Sequence, residues 1–114
     1  MREKNAMEMR RYHITMHTPL GTRCGTMSVM QKGRLLKGML DILNHMEPFC
    51  GTIEKNGDCL FSGRLVTLMR SVEYSAKGNI SPESVNLILQ GERNCFHLYG
   101  SLIPEDGEPE QERK

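Results

Sequence analysis

Four cysteines, Cys24, Cys50, Cys59 and Cys95, and four histidines, His13, His17, His45 and His97, are the residues of this chain best suited to hold a metal or attack a substrate. A closed zinc site gathers four such ligands, commonly through cysteines two residues apart. The chain has no such pair. His13 and His17 stand at the separation that aligns two rings on a helix, but on a strand that spacing parts them by about 13 Å. Cys95 and His97 share one strand face without obvious partners, so no metal site is expected. Among nine methionines, Met7-x-Met9 has the softness copper prefers, yet no other soft ligand lies nearby and methionine more often fills a core. A cysteine nucleophile needs a base and an orienting group. Alternation turns Cys59 inward beside Ile53 and Phe61, an apolar setting that keeps a thiol protonated and inert, and turns Cys24, Cys50 and Cys95 outward. Glu47 and Glu54 fall in loops or on the outward face, and most other acids lie in turns or near the end. No catalytic residue and no cofactor is therefore expected.

The elements that would carry these residues must fit in 114 residues, enough for one domain with a modest core. Lys and Arg number 15 against 14 Asp and Glu, a net charge of +1 that offers no field to hold a nucleic-acid backbone or an anionic bilayer. Arg2, Lys4, Arg10 and Arg11 lie at the start, while Glu105, Asp106, Glu108, Glu110 and Glu112 crowd the end. No apolar run suits a secretory signal or a membrane span. The reading is a cytoplasmic protein of bacterial or archaeal type, with reduced thiols rather than a disulfide framework.

Period-two alternation recurs from Tyr12 onward and predicts strands. The best helical rival, Lys37 to Met46, is interrupted by Gly38, leaving room for one helical turn around Asn44 to Glu47. Breaker clusters recur about every dozen residues at Thr18 to Gly21, Gln31 to Arg34, Asn44 to Pro48, Lys55 to Asp58, Met69 to Ser71, Ser81 to Ser84 and Gly91 to Asn94. They predict an all-β antiparallel meander of about eight strands. A two-residue loop at Lys32-Gly33 would pair Val29 with Leu36, Met27 with Gly38 and Gly25 with Leu40. A three-residue loop with Gly57 in the left-handed region would pair Ile53 with Cys59, Gly51 with Phe61 and Phe49 with Gly63. A four-residue turn at Ser81 to Ser84 would pair Ile80 with Val85, Gly78 with Leu87 and Ala76 with Leu89. Gly25, Gly38, Gly51, Gly63, Gly78, Gly91 and Gly100 then fall on the apolar side, and inward glycines are what a tightly coiled sheet needs. A closed up-and-down barrel over 12–103 is expected, with a flexible 1–11 start and a disordered acidic tail over 104–114.

The phrases Thr18-Pro19-Leu20-Gly21, Gly33-Arg34-Leu35-Leu36-Lys37-Gly38, Phe61-Ser62-Gly63, Lys77-Gly78-Asn79-Ile80 and Leu87-Ile88-Leu89-Gln90-Gly91 resemble small calycin-like barrels of the lipocalin and streptavidin architecture. More narrowly, the chain is similar to uncharacterised bacterial proteins of this size with a Thr-Pro-Met/Leu-Gly opening. The resemblance spans Tyr12 to Ile103 and implies a fold. It carries over no site residue, because the chain has no tryptophan, whereas lipocalins have a Gly-x-Trp near the first strand and streptavidin-like sites grip their ligand with tryptophans.

Two functions suit such a barrel. An eight-stranded cylinder has room either for its own side chains or for one small ligand. The first function is binding of a small apolar or amphipathic molecule in the interior, lined by Leu36, Leu40, Phe49, Phe61, Tyr74, Leu87 and Leu98, with His45 or Arg70 at a mouth. The second is a non-enzymatic interaction or structural protein with a filled barrel. There Met30, Leu35, Met39, Leu43, Leu60, Val66 and Ile88, on the outward face, would cover the interface of a homodimer.

Overall fold

A computed structural model of the chain describes residues 8–18, 21–67 and 69–104. Eight antiparallel strands follow one another: β1 (Glu8–Thr18), β2 (Gly21–Lys32), β3 (Leu35–Ile42), β4 (His45–Ile53), β5 (Asp58–Val66), β6 (Ser71–Ile80), β7 (Ser84–Gln90) and β8 (Cys95–Leu102). Each pairs with the next, and β1 pairs with β8 through Tyr12↔Leu102 to His17↔His97, so the meander closes into a barrel. The expected all-β fold is what forms, and no helix occurs among the described residues. Strand β1 begins at Glu8, ahead of the Tyr12 start that alternation suggested. The expected acidic tail lies, from Glu105 onward, outside the described residues.

Alternation sets the faces. In β7, Val85, Leu87 and Leu89 are buried and their neighbours exposed. The hairpins at Lys55 to Gly57 and Ser81 to Ser84 have the registers expected, Ile53↔Cys59 and Ile80↔Val85. The first hairpin does not. Its turn is Gly33-Arg34, and it pairs Lys32 with Leu35, Val29 with Gly38 and Met27 with Leu40. A slip of two residues keeps every side chain on its face, so alternation alone could not detect it. The helical turn considered near Asn44 is also absent. Leu43 and Asn44 have φ of 59° and 66°, the signature of a tight type I′ turn, and β4 starts directly afterwards at His45.

The inward residues form one apolar cluster running from Tyr12 to Leu98. Phe49 and Phe61 lie 4.4 Å apart between ring centres, and Phe61 meets Tyr74 edge-on at 6.3 Å. Inward glycines give the wall its curvature. At Gly38 an added Cβ would strike the Ser28 carbonyl on β2, and at Gly51 the Leu60 carbonyl on β5. The lower end of the barrel, which carries the 33–34, 54–57 and 81–83 turns, is stoppered by Arg10. Its guanidinium donates to the Tyr12 hydroxyl, Glu8 and Gln31, while Tyr12 donates to the Ser81 carbonyl at 2.6 Å.

Candidate functional site

At the upper end, the wall parts between β4 and β5. A type I′ turn closes on the hydrogen-bonded pair Ile42–His45. Hydrogen-bonded and non-hydrogen-bonded pairs alternate along an antiparallel ladder. Leu40↔Glu47 and Gly38↔Phe49 are therefore hydrogen-bonded, Met39↔Pro48 is not, and the nitrogen of Pro48 faces β5. The next hydrogen-bonded pair on that side would be Pro48 with Arg64, but proline has no N–H to give. Pairing between β4 and β5 stops one step short, at Phe49↔Gly63. Both strands run on, β4 still paired with β3 and β5 with β6. The Arg64 carbonyl and the backbone groups of Met46 and Val66 thus face the seam without a ladder partner.

A groove of about 1130 Å³ extends from this seam, at Glu47, Pro48, Gly63 and Arg64, across Arg70 and β6 with Tyr74 to the end of β7 at Gln90. Glu47 lies on the inward side of β4 by alternation and Arg64 on the outward side of β5. They meet across the seam in a long, exposed ion pair of 3.5 Å, of a kind worth little in stability. Gly63 leaves the inner lip bare. A Cβ there would sit 2.7 Å from the Tyr74 hydroxyl and 3.0 Å from the Pro48 carbonyl oxygen. That hydroxyl is buried and, among the described residues, is the single buried side-chain polar atom with no hydrogen-bond partner. Burial also raises its pKa, which keeps the phenol protonated as a donor.

The structure gathers part of the expected ligand set here. Phe49, Phe61 and Tyr74 pack behind the seam and Arg70 stands on the groove. Leu36, Leu40, Leu87 and Leu98 are buried elsewhere in the same core. His45 is exposed at the start of β4 and is not among the groove's lining residues. Cys59 is buried, its pKa pushed up to about 11 by desolvation and then by the charge of Asp58, whereas Cys24, Cys50 and Cys95 are exposed. The seam was missed at the level of sequence, although Pro48 signalled it, because a proline inside a strand marks a place where the ladder is interrupted.

Barrel closure also makes a cluster that spacing along the chain could not reveal. His17 pairs with His97 across β1 and β8, and its ring nitrogens lie 3.0 Å from the Tyr99 hydroxyl and 3.2 Å from the Thr22 hydroxyl. His97 Nε2 lies 2.9 Å from the side-chain oxygen of Asn86. Among the described residues no group of three or more His, Cys, Asp or Glu is placed to hold a metal ion.

The outward apolar residues fall into separate groups: Met9 pairs with Met30, whose diagonal neighbours on β3 are Leu35 and Met39, while Leu60 and Ile88 stand apart from them. Leu35, Leu60 and Ile88, exposed by 46%, 57% and 44%, lie on β3, β5 and β7, with Thr52 and Lys77 between them in one row of paired residues. Neighbours in that series are two strands apart, a quarter of the circumference. No protein family matches the chain, and neither a curated protein nor a solved structure matches it.

Proposed function

We propose that this protein is a non-enzymatic interaction protein built on a filled, calycin-like barrel, and that it works through its wall rather than through a hollow interior. One observation carries the reading. Leu36, Leu40, Phe49, Phe61, Tyr74, Leu87 and Leu98, the side chains that would line a ligand cavity, are at most 5% exposed and belong to one packed cluster. Interiors packed in this way leave few voids larger than a water molecule. Native mass spectrometry of the purified chain tests it. The expected spectrum shows the chain mass, or a whole multiple of it, with nothing added. Extra mass released on denaturation would overturn the reading.

A second reading, an interior site for a small amphipathic molecule, is favoured by the Tyr74 hydroxyl. A donor buried without a partner loses the full cost of its desolvation, and a ligand with one acceptor group would recover it. In that case Tyr74→Phe would release the retained mass.

A further inference from the structure

Resting on the interaction reading, we infer that the β4–β5 seam is a docking site for a polypeptide segment in extended conformation, which adds to the free edge of β5 as a short extra strand. The chemistry of the seam points to backbone. The Arg64 carbonyl and the Val66 N–H and carbonyl stand along one side without ladder partners, and the Met46 N–H and carbonyl stand along the other. An extended chain presents donors and acceptors in the same alternation, and addition to an open edge is a recurrent mode of peptide recognition. Other strands also run past a neighbour, β2 before Thr26 beside β3 and β6 before Ser75 beside β7, but the β5 edge is the one where a proline breaks the ladder and the unpartnered Tyr74 hydroxyl lies behind.

The surroundings support the same occupant. The groove has the volume for a few residues, and its rim carries both signs, Arg64 and Arg70 against Glu47, Glu73 and Glu92. That balance disfavours a strongly charged small ligand and suits a peptide of mixed charge. Behind the edge, bare Gly63 leaves the unpartnered Tyr74 hydroxyl at the inner lip, placed to donate to a carbonyl or side-chain acceptor of the incoming segment. The Glu47–Arg64 contact spans the opening and must part as the segment enters.

Phage-displayed random dodecapeptides, selected on the full chain, supply the probe. An enriched peptide, made synthetically, is then measured against the wild type and against Pro48→Val, which restores the missing N–H and closes the ladder onto Arg64. The peptide is expected to bind Pro48→Val at least about ten-fold more weakly, and to slow hydrogen exchange at the Met46 and Val66 amides of the wild type. Should Pro48→Val fail to fold, Val66→Pro deletes a seam-facing N–H without removing a ladder bond and carries the same expectation. Equal affinity for the variants, protection confined to other strands, or failure to enrich any peptide would overturn the seam as the docking site. Those results leave the interaction reading standing, whereas a small molecule retained in native mass spectrometry removes that reading first.

Discussion

The phenol of Tyr74 shows how a single atom can be costly to the free protein and useful to a complex. An unsatisfied buried hydroxyl costs about 1–3 kcal/mol, while an apolar group of the same shape costs nothing comparable. Tyr74→Phe is therefore expected to raise the stability of the free barrel by about 1 kcal/mol in urea denaturation and to weaken binding at the seam. A variant clearly less stable than the wild type would mean that the hydroxyl has a partner. Cys59 makes a second prediction. Its thiol is held above the ordinary value of 9.0, at about 11, so the folded state binds this proton more tightly than the unfolded state does. The resulting stability is complete below pH 9 and is lost as pH rises towards 11. Alkaline titration of the unfolding midpoint should show that fall, and Cys59→Val should flatten it. A thiol reagent at neutral pH should label Cys24, Cys50 and Cys95 and spare Cys59 until the protein unfolds.

Among the elements, the β3–β4 hairpin governs the site. Its type I′ turn fixes which face of β4 donates to β3, and hence that Pro48 meets β5 with its ring where an N–H is needed. Two consecutive non-glycine residues at positive φ are uncommon. Asn44 tolerates the conformation through its short polar side chain, and Leu43 is held in it by packing on the core. Asn44→Ala should destabilise the protein by roughly 1 kcal/mol, while Asn44→Gly should leave it unchanged or slightly more stable. Equal losses from both would show that the asparagine side chain, not the backbone, matters at the turn. Gly38 serves curvature instead. With the Ser28 carbonyl against the site of its missing Cβ, Gly38→Ala should cost about 1–3 kcal/mol, as overpacking does.

At the scale of the whole molecule, closure sets Leu35, Leu60 and Ile88 a quarter turn apart, whereas Met9, Met30, Leu35 and Met39 adjoin one another on β1, β2 and β3. Leu60 has neither Leu35 nor Ile88 as a neighbour on its own face, since each sits a quarter turn away. Leu60→Lys should therefore leave the subunit count in native mass spectrometry unchanged. A dimer that falls apart on this substitution would show that an interface forms there regardless. The charged and hydroxyl-bearing side chains lie mainly outside the barrel and the apolar ones inside, the reverse of a lipid-facing barrel, whose outer band is apolar.

What alternation determined, it determined through local geometry. A strand turns successive side chains to opposite faces whatever its partner, so the inward positions of Phe49, Cys59, Phe61 and Leu87 and the outward positions of Cys24, Cys50 and Cys95 were legible from residue order alone. Registers were legible where the turn itself was informative, at Gly57 and at Ser81 to Ser84. They were not legible at Gly33-Arg34, where a two-residue slip leaves both faces intact. Tertiary structure decided the rest, because it depends on contacts between residues far apart in the chain. The pairing of β1 with β8, the meeting of His17 with His97, and the seam between β4 and β5 all follow from closing the cylinder. Pro48 and Gly63 were visible as single residues, but only the register that sets them beside each other, with Tyr74 behind, turns them into a candidate site.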